Sequence, residues 1–243
     1  MIAEISWLAL SWCGLPIVLV AVIYCLWESN PVEVLVASGR MVGQLIAVGY
    51  VLVFLFSNPS PWVSLAVLLV MISAASWIAI RPVRDQQGFL KPALIALGVS
   101  VSLHLFISLK LVMDVQPWYQ PGVLIPLAGM YFANCMNAIS LAAERYHAEL
   151  LDKKSEASAR ISAFRTAMIP QINGLLAVGL VALPGMMTGQ ILSGVSPLIA
   201  VRYQILIMTM ILGASGLGAA LLLWQLGKFK LIQTEQLPEQ LNE

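Results

Sequence analysis

Seven stretches of the chain run for about twenty residues with no charged side chain at their middle, about the number that a helix needs to cross a bilayer core. They cover residues 5–27, 41–57, 62–80, 92–113, 121–143, 167–187 and 201–226. Barrel strands would instead alternate apolar and polar positions in short segments. The expected fold class is therefore all-α: a polytopic integral membrane protein with about seven transmembrane helices, forming a single transmembrane domain over residues 1–243. Composition agrees. Only 10% of the residues are charged, whereas a water-soluble domain carries about 25%. A net charge of +1 leaves no basic footprint for nucleic acid.

Lysine and arginine assign the sides. Alternate connections hold Arg40; Arg81, Arg84 and Lys91; Arg145, Lys153, Lys154, Arg160 and Arg165; then Lys228 and Lys230, which is eleven of thirteen. The opposite connections hold only Lys110 and Arg202. Positive charge accumulates on the cytoplasmic side, so the N-terminus is expected outside, with residues 227–243 a cytoplasmic tail. The expected location is the cell inner (plasma) membrane. The first stretch follows Glu4 without a positive leader or a small-residue cleavage site, which reads as a retained span. Residues 28–40 offer Asn30-Pro31 as a start signal, with Glu33, Ala37 and Arg40 on one face. That pattern suggests a short interfacial helix leading into the second span.

The one sizeable polar connection is residues 144–165, which lacks Gly and Pro. Glu149 with Lys153, and Glu156 with Arg160, stand at i,i+4 in the favourable order, and Ser155 suits a helix cap. Two short helical arms, one surface helix or a solvated loop all fit. Near the outer end of the sixth stretch, Leu183-Pro184-Gly185-Met186-Met187-Thr188-Gly189-Gln190 interrupts helix-forming sequence. Pro removes an amide donor, and freed backbone groups at membrane depth must be buried in protein or line a cavity. The break marks either an inward-facing gate or simply the end of the span.

Asp and Glu are absent from the middle of every stretch, which argues against a carboxylate proton relay or a hard-cation cage. The polar groups there are His104, flanked by Ser100 and Ser108, and Asn134 with Asn137 on the fifth stretch. Interhelical hydrogen bonding is the ordinary use of such residues. Met130, Met136, Met186 and Met187 bring thioethers near the same spans; thioethers suit soft ions, and they also suit adaptable packing. Cys13, Cys25 and Cys135 show no metal-binding spacing. Gly213-Ala214-Ser215-Gly216 has the GxSG form of an intramembrane protease, but both His104 and His147 precede it. A retinal protein would need a Lys within its last span, and Lys228 lies beyond it. The phosphate-cradling GxxxxGK[ST] is missing too. No catalytic or cofactor-binding residue is expected in this chain.

Three blocks carry a family resemblance: RMVGQLIAVGYVLVFLF at 40–56, PLAGMYFANCMNAISLAAER at 126–145 and VGLVALPGMMTGQILSGVSPLIAVRYQILIM at 178–208. The chain resembles the membrane (permease) subunit of the iron-exporting ATP-binding-cassette transporter family, which has plant relatives implicated in aluminium tolerance. The resemblance implies a homodimer in the lipid bilayer that binds a separate ATP-binding subunit, with ATP and Mg held on that partner. It implies export of a metal ion or chelate, iron or another metal. Gln44, Met130, Asn134, Asn137, Pro184, Gly185, Met186, Met187, Thr188 and Gln190 then become candidates for the substrate pathway. Glu144, Arg145, Glu149, Leu150, Asp152, Lys153, Lys154, Arg160, Phe164 and Arg165 become candidates for coupling to the ATPase. Compared with the family pattern, the connection between the fifth and sixth spans is short and has no Leu-Gly-Ala element. An ATP-independent carrier or channel, or a membrane scaffold of the same fold, is the competing expectation. No metal ligand is assigned.

Overall fold

A computed structural model describes residues 5–57, 59–85 and 88–235, the last eight of these by their backbone alone. Its elements in chain order are α1 (Trp7–Ser11), α2 (Gly14–Leu26), α3 (Val32–Ser57), α4 (Pro61–Ala79), a 3₁₀ turn (Arg81–Val83), α5 (Leu90–Phe106) continuing as a π-helical segment (Ile107–Val112), α6 (Pro121–Leu151), α7 (Glu156–Ala177), α8 (Gly185–Leu192) and α9 (Pro197–Glu235). The chain is an all-α polytopic membrane protein. Proline sets several of the starts: Pro61, Pro121 and Pro197 are the first residues of α4, α6 and α9, where the missing N–H has no intrahelical partner to lose.

Among the described residues, six helical stretches are long and apolar enough to cross a membrane: Trp7–Leu26, Val32–Ser57, Pro61–Ala79, Leu90–Val112, Pro121–Leu151 and Pro197–Gly227. The seventh expected crossing falls on α7 and α8, and its bounds differ from the sequence expectation of 167–187. α7 begins at Glu156, so Arg160 and Arg165 make its first half polar. It stops at Ala177, and residues 178–184 are not helical. Gly179 takes φ +83 there, a conformation that L side chains resist, and its N–H donates to the Ala182 carbonyl at 3.0 Å. Pro184 then stands just before α8, as its N-cap.

Other bounds are corrected as well. No separate interfacial helix precedes the second span: Asn30 accepts a hydrogen bond from the Val32 N–H at 3.0 Å, and α3 runs unbroken for 26 residues. The first span is interrupted between Ser11 and Gly14, where Pro16, lacking an N–H, cannot bond back to Trp12. The expected tail from 227 continues α9 as helix to Glu235, and its residues 236–243 lie outside the described residues.

Contacts divide the chain into two compact units, Met1–Asn58 and Pro59–Glu243. The first consists of α1–α3, of which α2 packs on α3. Most of its side chains are exposed, as expected where lipid is the solvent.

The second unit is built around α9. Gly213 of α9 faces His104 of α5, Gly218 faces Cys135 of α6, and Gly216 faces Met168 of α7. Pairs such as 104 with 213 and 92 with 225 run α5 antiparallel to α9. Those of 135 with 214 and 174 with 208 make α6 parallel and α7 antiparallel to it. The helix ends that carry Arg84, Lys91, Arg145 and Arg160 therefore gather at one end of this unit, and Lys110 and Arg202 at the other. The core is rich in fully buried alanines, among them Ala93, Ala96, Ala138, Ala142, Ala159, Ala163, Ala167, Ala214 and Ala219. Small residues let helices approach closely in lipid, where water supplies no hydrophobic drive between them.

Candidate functional site

Helices α6, α7, α8 and α9 surround a cavity of about 270 Å³. Met130 and Asn134 enter from α6, and Pro170, Gln171 and Gly174 from α7. Pro184, Gly185 and Met186 come from the α8 entry, and Gln204, Ile207, Met208, Ile211 and Leu212 from α9. Five residues singled out from the sequence thus meet at one place: Met130, Asn134, Pro184, Gly185 and Met186. A second cavity of about 310 Å³ shares Pro184, Gln204 and Met208 with the first and takes in Met187. The pair is possible because α7 ends early. An uninterrupted helix through 178–184 would carry the chain past α9 without turning Pro184 and Met186 back toward Asn134.

The polar atoms in this space are neutral. Asn134 donates its Nδ2 hydrogen to the Met130 carbonyl at 2.9 Å, one turn back on its own helix. Gln204 is buried, and its Oε1 has no hydrogen-bond partner. Gln171 is buried beside Pro170. The sequence reading overlooked both glutamines and Met208. The signal was partial: Gln171 and Gln204 are amides within expected spans, as Asn134 is, but Asn173 and Arg202 stand two residues from them.

Other pathway candidates lie elsewhere. Asn137 shares a helical face with Met130 and Asn134, yet it is exposed and does not line the cavity, to which α6 contributes only Met130 and Asn134. Thr188 is half-buried and donates its hydroxyl to the Pro184 carbonyl at 3.2 Å. Gln190 is also half-buried, and its Oε1 has no hydrogen-bond partner. Gln44 stands exposed on α3, in the first unit.

His104 has a structural environment. Its Nδ1 is 2.8 Å from the Ser100 carbonyl, and the Ser100 hydroxyl donates to the Ala214 carbonyl at 2.6 Å. One turn on, Ser108 donates to the His104 carbonyl and shares a 2.8 Å hydrogen bond with the Tyr131 hydroxyl. These contacts tie α5 to α6 and α9.

The polar connection at 144–165 forms a helical hairpin. α6 extends two turns beyond the apolar stretch that ends at residue 143, the chain reverses through Asp152, Lys153 and Lys154, and α7 returns. Ser155 caps α7 by accepting from the Ser158 N–H at 3.3 Å. Glu149 fastens the tip. It is buried, and it pairs with Arg145 at 2.5 Å and Lys154 at 2.5 Å while accepting from the Ser162 hydroxyl at 2.7 Å. The expected i,i+4 pair with Lys153 does not form, because α6 ends at Leu151 and Lys153 takes φ +58 in the turn. The expected Glu156–Arg160 pair is present at 3.3 Å. Glu144, Asp152, Lys153, Phe164 and Arg165 are exposed along this element, and Leu150 is half-buried. Ser162, not singled out from the sequence, is the residue that joins the two arms.

A family model described as an uncharacterised protein family, UPF0014, matches residues 7–229. A UPF0014 membrane protein of Synechocystis is 37% identical over 227 residues, which cover 86% of this chain and 87% of that one. The probable iron export permease protein FetB of Escherichia coli is 29% identical, over 84% of each chain. The protein ALUMINUM SENSITIVE 3 of Arabidopsis thaliana is 31% identical, over 83% of this chain and 79% of its own. No solved structure matches.

Proposed function

Since the chain belongs to the UPF0014 family of membrane proteins, we propose that it is the transmembrane permease subunit of an ATP-binding-cassette exporter for a metal, iron or another. A separate subunit binds ATP and Mg and hydrolyses the nucleotide, and two copies of the permease assemble in the inner membrane. The hairpin end faces the cytoplasm. Iron enters this reading through the name of the Escherichia coli relative.

One observation carries the proposal. The two helices that form the fastened hairpin, α6 and α7, are also two walls of the cavity. Asn134 lies fifteen residues from Glu149 along α6, about 22 Å at 1.5 Å per residue. A rigid hairpin pushed by an ATPase therefore moves cavity walls as a lever, which is the rigid-body rocking by which such sites alternate their access. Lys153, Arg165 and Phe164, all exposed, give the hairpin a basic and partly apolar surface for docking.

The test is transport in sealed vesicles that contain this chain and its ATP-binding subunit. Metal should accumulate only with hydrolysable ATP, and Gln204→Leu should reduce its rate. Metal movement at the same rate without ATP would instead support the carrier reading.

A further inference from the structure

The geometry points to a soft monovalent metal cation, of the Cu(I) or Ag(I) type, as the ligand of the cavity between α6, α7, α8 and α9. This inference rests on the export reading and names its substrate class. Three methionines from three different helices, Met130, Met186 and Met208, line the one space and bring their thioethers to it. Gln204 is 7% exposed, and its Oε1 is an acceptor with no donor. The Nδ2 of Asn134 is already committed to the Met130 carbonyl, which leaves its Oδ1 for a ligand. What the cavity offers is therefore lone pairs, on sulfur and on amide oxygen.

Charge and softness decide between cations. Among the described residues, no group of three His, Cys, Asp or Glu could hold a metal ion. The cavity itself carries no formal charge. The Born cost of desolvation rises with the square of the charge, so a divalent ion loses about four times what a monovalent one does, with no anion there to offset it. Hard monovalent ions gain little from sulfur. Thioethers select Cu(I) and its soft congeners. Methionine is flexible enough to close around an ion and reopen for its release, which a transport site requires.

The probe is silver nitrate in chloride-free buffer, a stand-in for Cu(I) that needs no reductant. The protein is the full chain in nanodiscs, with Cys13→Ala and Cys25→Ala removing the two exposed thiols. Equilibrium dialysis with metal analysis compares this background with Met130→Leu/Met208→Leu, which keeps side-chain volume. Met41→Leu, an exposed position on α3, is the control. Silver held by Cys135 is common to all variants and cancels in the difference. The double variant should lose about one silver ion per chain, or bind it at least tenfold more weakly. Gln204→Leu should weaken the same ion, and excess potassium or magnesium should leave it in place. Equal silver binding in the double variant, or an equal loss in Met41→Leu, overturns the assignment. Elution of each variant as a single species shows that it is folded. ATP-driven export alongside unchanged silver binding would reject this ligand and keep the permease reading. Selective silver loss in a chain that engages no ATPase would do the reverse.

Discussion

Gly213 and His104 give a perturbation whose size follows from the packing. A Cβ added at Gly213 would overlap the His104 Nε2 and stand 2.9 Å from Cδ2 and 3.4 Å from Cε1. The imidazole is held from its other side, with Nδ1 2.8 Å from the Ser100 carbonyl, so the ring cannot swing away without breaking that contact. Overpacking of this kind costs about 1–3 kcal/mol. Alanine in place of glycine within a helix returns up to about 1 kcal/mol. Gly213→Ala should therefore destabilise the protein by up to about 2 kcal/mol once the helix-propensity gain is subtracted in full. In a His104→Ala background the obstacle is gone, and the same substitution should be neutral or stabilising. The two should couple by about 1 kcal/mol or more, as close neighbours do. Denaturant unfolding in detergent micelles, followed by tryptophan fluorescence, measures all four proteins. An equal effect of Gly213→Ala in both backgrounds would falsify the close α5–α9 packing. His104→Ala should also keep ATP-driven transport, because His104 lines neither cavity formed by α7, α8 and α9.

Three further predictions concern the hairpin and the sides of the membrane. Glu149→Gln should loosen the α6–α7 tip, raising protease cleavage near residue 152 and lowering stimulated ATP hydrolysis, while the amount of protein in the membrane stays unchanged; unaltered stimulation would remove the hairpin from the coupling path. Ser155→Ala removes the cap of α7 and should cost about 1 kcal/mol locally, seen as roughly fivefold faster amide exchange over the first turn of α7; unchanged exchange would deny the cap. In a cysteine-free background, Asp152→Cys should react with an impermeant thiol reagent only from the cytoplasmic face, and Arg202→Cys only from the opposite face. Labelling of both from one side would contradict the helix directions given above.

Much of the fold is legible in the sequence, because lipid imposes a length and a composition on each crossing. The starts of α4 and α6, at Pro61 and Pro121, fall within a residue of the expected 62 and 121, whereas α9 begins at Pro197, four residues before the expected 201. Charge alternation anticipated which helix ends of the second unit lie together, since basic residues are costly to carry across a bilayer. What sequence could not place depends on three-dimensional competition. Lys153 and Lys154 are chemically alike, and the left-handed turn at Lys153 decides which of them reaches Glu149. The sequence places the break at 183–190 and the structure at 178–184, because a glycine such as Gly179 is tolerated within membrane helices and does not by itself mark an end. The cavity was half visible. Asn134 and the Pro184-Gly185-Met186 run stood out by composition, but Gln171 and Gln204 count as site residues only because four helices bring them together.

The most direct test of the central claim is to purify the affinity-tagged chain from its native membrane under mild solubilisation and weigh the stoichiometric partners by mass spectrometry. The account predicts an ATP-binding subunit in one-to-one ratio, lost on Glu149→Gln combined with truncation of the 152–154 turn. A chain that purifies with no ATP-binding subunit would contradict it.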